Sequence, residues 1–348
     1  MIIGIPKETK LFETRVALIP EHVKILVKKG HVVLVEKNAG EKIGFTDNEY
    51  KKNGAKIVST KEVYKSQMIV RVKRPQIKTL KSKQIILGYL HVEKGENPPL
   101  LKALINKKIT AYAYHLFKNE KGERLINLGY EAGVVGMYEG LRLWGTINKK
   151  ISKKGNKFSA LPSTWELKTE KNIVETTSKI LKGEKQKPVI YIMGNGLVAK
   201  GCKRILNQVN IPYFVLYKED TKNIDKYLPR ADIIVNATYW LPGEPHIITK
   251  EKLKMIKKTC PIVDISCEEH GAVETTVEKS WGNPIYTVND IYHFAVGNLP
   301  SALGRDSSIH LSNMIINYVI DIAENKLKNT SGLLTINGKY VYKLPKIL

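Results

Sequence analysis

The segment with the most specific chemistry is Met193-Gly194-Asn195-Gly196-Leu197-Val198-Ala199, which follows the apolar run Val189-Ile190-Tyr191-Ile192. A strand that turns on glycine into a helix leaves unpaired N–H groups at the first helical turn, where a phosphate can accept them. Gly194 permits the turn, Gly196 lets a pyrophosphate approach the backbone, and Ala199 lets helix and strand pack closely. Leu197 and Val198 open the helix, which is expected to run to about Val209. A glycine turn can also merely join a strand to a helix. Here further strands at Tyr213–Tyr217, Asp232–Asn236, Ile262–Ser266 and Ile285–Val288 follow at the rhythm of a dinucleotide-binding unit.

A second set of residues could handle a small acid. Arg15 carries a guanidinium fork that matches carboxylate geometry, and it lies between Thr14 and the apolar Val16-Ala17-Leu18. Lys73 follows the strand Met68–Val72, and His91 closes the next one, Ile85–Leu90, so the two should be neighbours. Strand ends are where open α/β sheets place their sites. A lysine desolvated there drops from a pKa of about 10 toward neutrality, and histidine is its natural partner acid or base. The plainer readings are a surface arginine, one ordinary lysine among many, and a polar strand terminus.

The cofactor type turns on the strand after the glycine turn. NAD-specific units place an acid at its end to bond the ribose 2′-hydroxyl. Here the position holds Tyr217, followed by Lys218, a cation that suits a 2′-phosphate. Glu219 and Asp220 come one and two residues later and would restore NAD binding if the strand ran longer. The pattern therefore favours NADP(H) over NAD(H).

The first 125 residues repeat a strand–helix rhythm through Ile2–Ile5, Pro20–Lys29, Val32–Glu36, a capping box at Thr46 and Glu49, and Thr110–Tyr114. Residues 146–160 read as a polar loop or insertion, followed by a helix from about Trp165 to Leu181. Ser307–Lys326 reads as a long amphipathic helix, and Asn337-Gly338 as a hairpin turn. The fold class is α/β, with two Rossmann-like doubly wound domains and a cleft between them. Residues 1–128 with 305–348 form the substrate domain, and 129–304 the dinucleotide-binding domain.

The 348 residues carry a formal charge of +24, but eight arginines stand against forty-nine lysines spread along the chain. That is a solvated lysine-rich surface, with no recognition motif for nucleic acid. No apolar run approaches the roughly 20 residues that a membrane helix needs. The chain opens directly into a strand without a secretory leader, so a cytoplasmic location is expected. Cys202, Cys260 and Cys267 are too scattered for a disulfide framework or a zinc site, and no metal is expected.

Gly4-Ile5-Pro6-Lys7-Glu8, Glu13-Thr14-Arg15-Val16-Ala17-Leu18, Val70-Arg71-Val72-Lys73-Arg74-Pro75, Tyr89-Leu90-His91, Val263-Asp264-Ile265-Ser266 and His293-Phe294-Ala295-Val296-Gly297-Asn298-Leu299-Pro300 resemble alanine dehydrogenase and the transhydrogenase α subunit. The stretch Gly129-Tyr130-Glu131-Ala132-Gly133-Val134-Val135-Gly136-Met137 is similar to lysine-forming saccharopine dehydrogenases, and the glycine turn to carboxyethylornithine synthase.

The resemblance implies a nicotinamide-dependent oxidoreductase in which Arg15 holds a carboxylate and Lys73 and His91 move protons. Lys73 could instead only bond the oxo acid. Glu268 stands where these relatives carry aspartate, near the nicotinamide, and is a third candidate catalytic residue; one extra methylene there could alter substrate choice or the acid–base partition. Asn298 either contacts the nicotinamide or stabilises a turn before Pro300. Tyr130 and Glu131 matter if the amine is long, Glu131 pairing with a distal ammonium unless it is a surface-helix glutamate. The leading expectation is an enzyme joining a 2-oxo acid to an amino acid through a secondary amine. The alternatives are alanine dehydrogenase, which uses ammonia, and a non-catalytic dinucleotide-binding protein. The family also implies a homo-oligomer.

Overall fold

The computed structural model describes residues 1–342 apart from Lys94, Glu96 and Lys154; the end of the expected 305–348 segment lies outside the described residues. The chain divides into two compact units, Met1–Asn127 with Gly304–Leu348, and Leu128–Leu303. Among the described residues no helix is long and apolar enough to cross a membrane.

The first unit opens with β1 (Ile2–Ile5), α1 (Pro20–Lys28), β2 (Val32–Glu36), α2 (Asp47–Lys52), β3 (Lys56–Val58), α3 (Thr60–Val63), β4 (Met68–Val70), β5 (Ile85–Gly88), α4 (Pro98–Asn106) and β6 (Thr110–Ala113). These six strands pair in parallel in the order β6-β5-β4-β1-β2-β3. The strand β4 is buried throughout, and its Met-Ile-Val run is the unbroken apolar pattern of a strand covered on both faces. Pro20 stands in the first turn of α1, and Thr46 and Glu49 close the expected capping box on α2.

The second unit holds α5 (Gly129–Ser152), α6 (Thr164–Leu167), α7 (Glu170–Ile180), β7 (Ile190–Met193), α8 (Leu197–Gln208), β8 (Tyr213–Leu216), α9 (Lys218–Lys222), β9 (Ile233–Asn236), β10 (Ile262–Asp264), β11 (Ile285–Val288) and β12 (Ile291–Phe294). Its sheet runs β11-β12-β10-β9-β7-β8, parallel except at β11. Residues 146–152, expected as loop, are the end of α5. The polar side chains there serve the helix: Thr146, Asn148 and Ser152 donate to the carbonyls of Arg142, Trp144 and Asn148 four residues back. Gly145 does not break it either, because the backbone of Phe158 and Ser159 lies 2.5 Å from where a Cβ would stand. The single helix expected over 165–181 is two, because Lys168 takes φ 65° and Thr169 caps a new start.

The helices α5 and α8 cross backbone to backbone. A Cβ on Gly133 would stand 1.9 Å from the Val198 carbonyl oxygen, and one on Gly201 2.1 Å from that of Tyr130. Gly136 and Gly140 likewise make room for Ile265 and Val263. Much of the 129–145 pattern is thus dictated by packing.

The chain then completes the first unit with α10 (Gly304–Ala323), β13 (Leu333–Ile336) and β14 (Lys339–Tyr340). Strand β13 pairs antiparallel with β6, and Asn337 and Gly338, both at positive φ, form the expected hairpin turn. Helix α10 also ties down the segment before α1: Ser308 and Ser312 accept the backbone N–H groups of Val16 and Ile19.

Candidate active site

In the first unit, Arg15, Lys73 and His91 come together among charged groups that the sequence reading did not single out. Glu8, three residues past the end of β1, is the organiser. Its Oε1 accepts the backbone N–H groups of Val72 (2.7 Å) and Lys73 (3.3 Å), and its Oε2 accepts Arg71 Nη2 at 2.8 Å. Arg71 in turn donates to the Tyr64 hydroxyl at 2.7 Å. Burial, helped by the Glu13 charge, pushes Glu8 upward in pKa against the charge and hydrogen bonds of Arg71 and the Val72 N–H. Such a buried pair does little for stability by itself, but removing one member leaves an uncompensated charge. Here it fixes the backbone that carries Lys73.

Arg15 is buried and already held: Nε and Nη2 donate to the two Glu13 oxygens at 2.7 and 2.6 Å. Burial raises the Glu13 pKa, but the charge and hydrogen bonds of Arg15 override it and hold the carboxyl at about 2. Lys73 is half-buried. Desolvation first, then the Arg15 charge, lower it to about 7, while Glu13 and Glu8 pull the other way.

His91 occupies the left-handed region at φ 46°, uncommon for a residue with a side chain. Its ring stacks on His115 with centroids 4.0 Å apart and planes 14° from parallel. His115 follows β6, and its Nε2 lies 2.8 Å from Glu93 Oε1, both side chains buried. Desolvation, then the His115 charge, lower the His91 pKa to about 3; Lys73 and Arg74 add to this and Glu93 opposes it. The ligand-capable atoms of His91, Glu93 and His115 lie within 4.8 Å of one another. Parallel rings, however, direct their in-plane lone pairs side by side, whereas metal ligands converge on one point. The cluster reads as a charge-paired stack.

In the second unit, Gly194 turns at φ 96°, and a Cβ there would stand 2.7 Å from the Ala237 carbonyl oxygen. Gly196 caps α8 with no side-chain hydrogen bond, and nothing lies within 4 Å of its Cβ position. The first N–H groups of α8, from Leu197 and Val198 onward, therefore head an open helix terminus that fits a pyrophosphate. Tyr217 is exposed and forms the N-cap of α9, with Lys218 beside it. Asp220 is committed locally, accepting the Tyr217 N–H and the Tyr227 hydroxyl, each at 2.9 Å. Glu219 pairs with Lys222.

Beyond β10 a buried polar knot shapes the loop that carries Glu268. Asp264 Oδ1 accepts Asn236 Nδ2 (2.9 Å) and the Cys267 N–H (2.8 Å), and Oδ2 accepts Thr276 Oγ1 (2.5 Å). Burial still raises Asp264 to about 6. Cys267 takes φ 52°, and Glu268 is half-buried. Asn298 is buried, its carbonyl accepting Trp281 Nε1 at 3.2 Å. Tyr130 donates to Glu170 at 3.1 Å, which also takes Arg204, and Glu131 is buried in the first turn of α5.

The signals for the missed residues were partly present. His115 follows the expected strand Thr110–Tyr114, the position that drew attention to Lys73 and His91. Glu8, Glu13 and Arg71 lie within the quoted motifs, but their pairing is a property of the folded sheet.

A doubly wound unit with an open glycine-turn helix, and a unit with cationic strand ends, define a dinucleotide-dependent oxidoreductase of the α/β class. Residues 4–135 match the N-terminal domain and 167–341 the C-terminal domain of alanine dehydrogenase/PNT. The chain is 31% identical to an alanine dehydrogenase of Methanococcus maripaludis over 99% of its own length and 95% of the relative's. It is 26% identical to alanine dehydrogenase 1 of Staphylococcus aureus, over 99% and 94%. Its fold matches a solved L-alanine dehydrogenase with a TM-score of 0.79 at 24% identity, covering 98% of this chain and 97% of that one. A transhydrogenase from Sinorhizobium meliloti gives 0.75 at 18% identity, covering 98% and 100%. The chain belongs to the alanine dehydrogenase/PNT family, and is a nicotinamide-dependent oxidoreductase acting on amino acids.

Proposed function

We propose that the protein is an alanine dehydrogenase that interconverts L-alanine with pyruvate and ammonium. This departs from the secondary-amine reading that the 129–137 segment suggested. The names of the relatives support it, as does the placement of Tyr130 and Glu131. Tyr130 is engaged with Glu170, and Glu131 is buried, so neither is disposed as an exposed partner for a long amine.

The observation that carries the chemistry is Lys73, brought to about pH 7 by burial and Arg15. In deamination, alanine loses a hydride from Cα and a proton from nitrogen; the imine adds water and releases ammonium, leaving pyruvate. A nicotinamide, when bound, supplies the hydride acceptor. Lys73 Nζ, half in the free-amine form near neutrality, takes the substrate proton and returns it in the reverse direction. Arg15, fixed by Glu13, holds the carboxylate. His91 acts as a neutral hydrogen-bonding partner of the substrate oxygen or nitrogen. Glu268 and Asn298 are assigned to the nicotinamide side.

In the second unit, Gly194, Gly196, Leu197 and Val198 would hold the pyrophosphate. With Asp220 committed to its own turn and no acid at the end of β8, Tyr217 and Lys218 favour NADP(H). The test is consumption of NADPH, then NADH, with pyruvate and ammonium. Turnover with ammonium alone is expected. Turnover only with lysine or ornithine as amine would overturn this reading in favour of secondary-amine formation.

A further inference from the structure

The pair Glu93–His115 lies outside every role assigned above, yet its imidazole ring lies face to face with His91. Both members are buried, and each keeps one buried polar atom without a hydrogen-bond partner, Glu93 Oε2 and His115 Nδ1. The pairing therefore runs through the single Nε2–Oε1 contact of 2.8 Å. One carboxylate can compensate one imidazolium. A proton on His115 Nε2 is matched by Glu93, whereas a second proton on His91, one ring-spacing away, is not.

We propose that His115, clamped by Glu93, is a positioning residue that holds the His91 ring in its plane and keeps it neutral, so that His91 meets substrate as a hydrogen-bond partner and leaves proton transfer to Lys73. The proposal rests on the reading of His91 given above. Of the charges that weigh most on the ring, Glu93 favours a proton there, while His115, Lys73 and Arg74 disfavour one. Tyr89, with its centroid 6.1 Å from His91 and planes 11° apart, and Tyr114, edge-on to Tyr89, add aromatic bulk around the ring. The left-handed backbone of His91 is compatible with this role. A residue held at φ 46° has its ring direction set by the chain as well as by the stack.

The test is an NMR titration of ring-13C-labelled histidine in the full chain without substrate, with the His91 signal assigned from a His91→Gln variant. His91 should stay neutral down to about pH 4. His115→Phe keeps the stack and removes the charge, and His115→Asn removes both. Each should raise the His91 midpoint by at least about one unit. Titration of wild-type His91 near its ordinary value would overturn the proposal, as would a midpoint that neither variant moves. The second result would mean that burial alone keeps the ring neutral. Because the titration needs no turnover, its outcome is independent of whether alanine proves to be the substrate.

Discussion

Replacing Glu13 with Gln gives the sharpest check on the assigned chemistry. The carboxylate supports two cations, gripping Arg15 through two hydrogen bonds and opposing the loss of charge on Lys73. The drop of Lys73 from 10.5 to about 7 raises its free-amine fraction at pH 7 from about one in three thousand to about one half. Removing Glu13 leaves burial and an unmatched Arg15, both of which push Lys73 lower. A nearby opposite charge shifts a pKa by about one to three units, and Glu13, which ranks below burial and Arg15 in its effect on Lys73, belongs at the low end, about one. In deamination, where Lys73 must accept a proton, the rising limb of kcat/KM should move from about pH 7 to about pH 6. Relative to its own plateau, activity at pH 6 should climb from about one tenth to about one half. The plateau itself should fall, because Arg15 loses its fixed orientation. The assay is initial rate against alanine from pH 5 to 9. A limb that stays put or moves up, or one that survives Lys73→Met, would refute the assignment of the titrating group to Lys73.

Three further outcomes are expected. Gly201→Ala sets a methyl 2.1 Å from the Tyr130 carbonyl oxygen and should cost about 1–3 kcal/mol, read as a lower melting temperature with weaker dinucleotide binding. An unchanged melting temperature would mean that α5 and α8 re-space freely. Lys218→Glu should raise the KM for NADPH at least about tenfold relative to NADH, since a carboxylate repels a 2′-phosphate; equal effects on both cofactors would remove Lys218 from that role. Glu13 and Glu93, both held at about 2 against an ordinary 4.5, contribute stability that is full above pH 4.5 and lost as pH falls toward 2. Chemical denaturation across that window should show a steep loss in wild type and a shallower one in Glu13→Gln.

The parts of the fold legible in the sequence were those set by neighbours along the chain. The glycine turn, the Thr46–Glu49 capping box and the Asn337-Gly338 hairpin each depend on a few adjacent residues. The end of α5 was misread for the complementary reason: Gly145 and the polar residues after it are loop signals locally, and only Phe158 and back-bonded carbonyls make them helical. Lys73 and His91 stand out in the sequence because strand ends are visible from apolar runs. Glu8 was passed over because its partners lie 63 to 65 residues away and meet it only once β1 and β4 pair. Arg15 showed a guanidinium but not its occupancy, although Glu13 stands two residues before it. The glycine-rich 129–137 segment was weighed as a mark of substrate type, and its glycines serve a helix crossing.

The seam between α10 and the segment before α1 bears on how the protein is made. The N–H groups of Val16 and Ile19, either side of Ala17-Leu18 and just after Arg15, end on Ser308 and Ser312. On the ribosome those serines emerge after the whole inserted unit of 128–303, roughly 10 to 35 seconds behind residue 127 at ordinary elongation rates. The uninterrupted unit can fold as it leaves the tunnel, while the substrate-side segment waits with its anchors unsynthesised. Translation order thus makes Arg15 one of the last groups to be fixed in place, and a truncated product lacking α10 would keep the glycine turn without a secured Arg15.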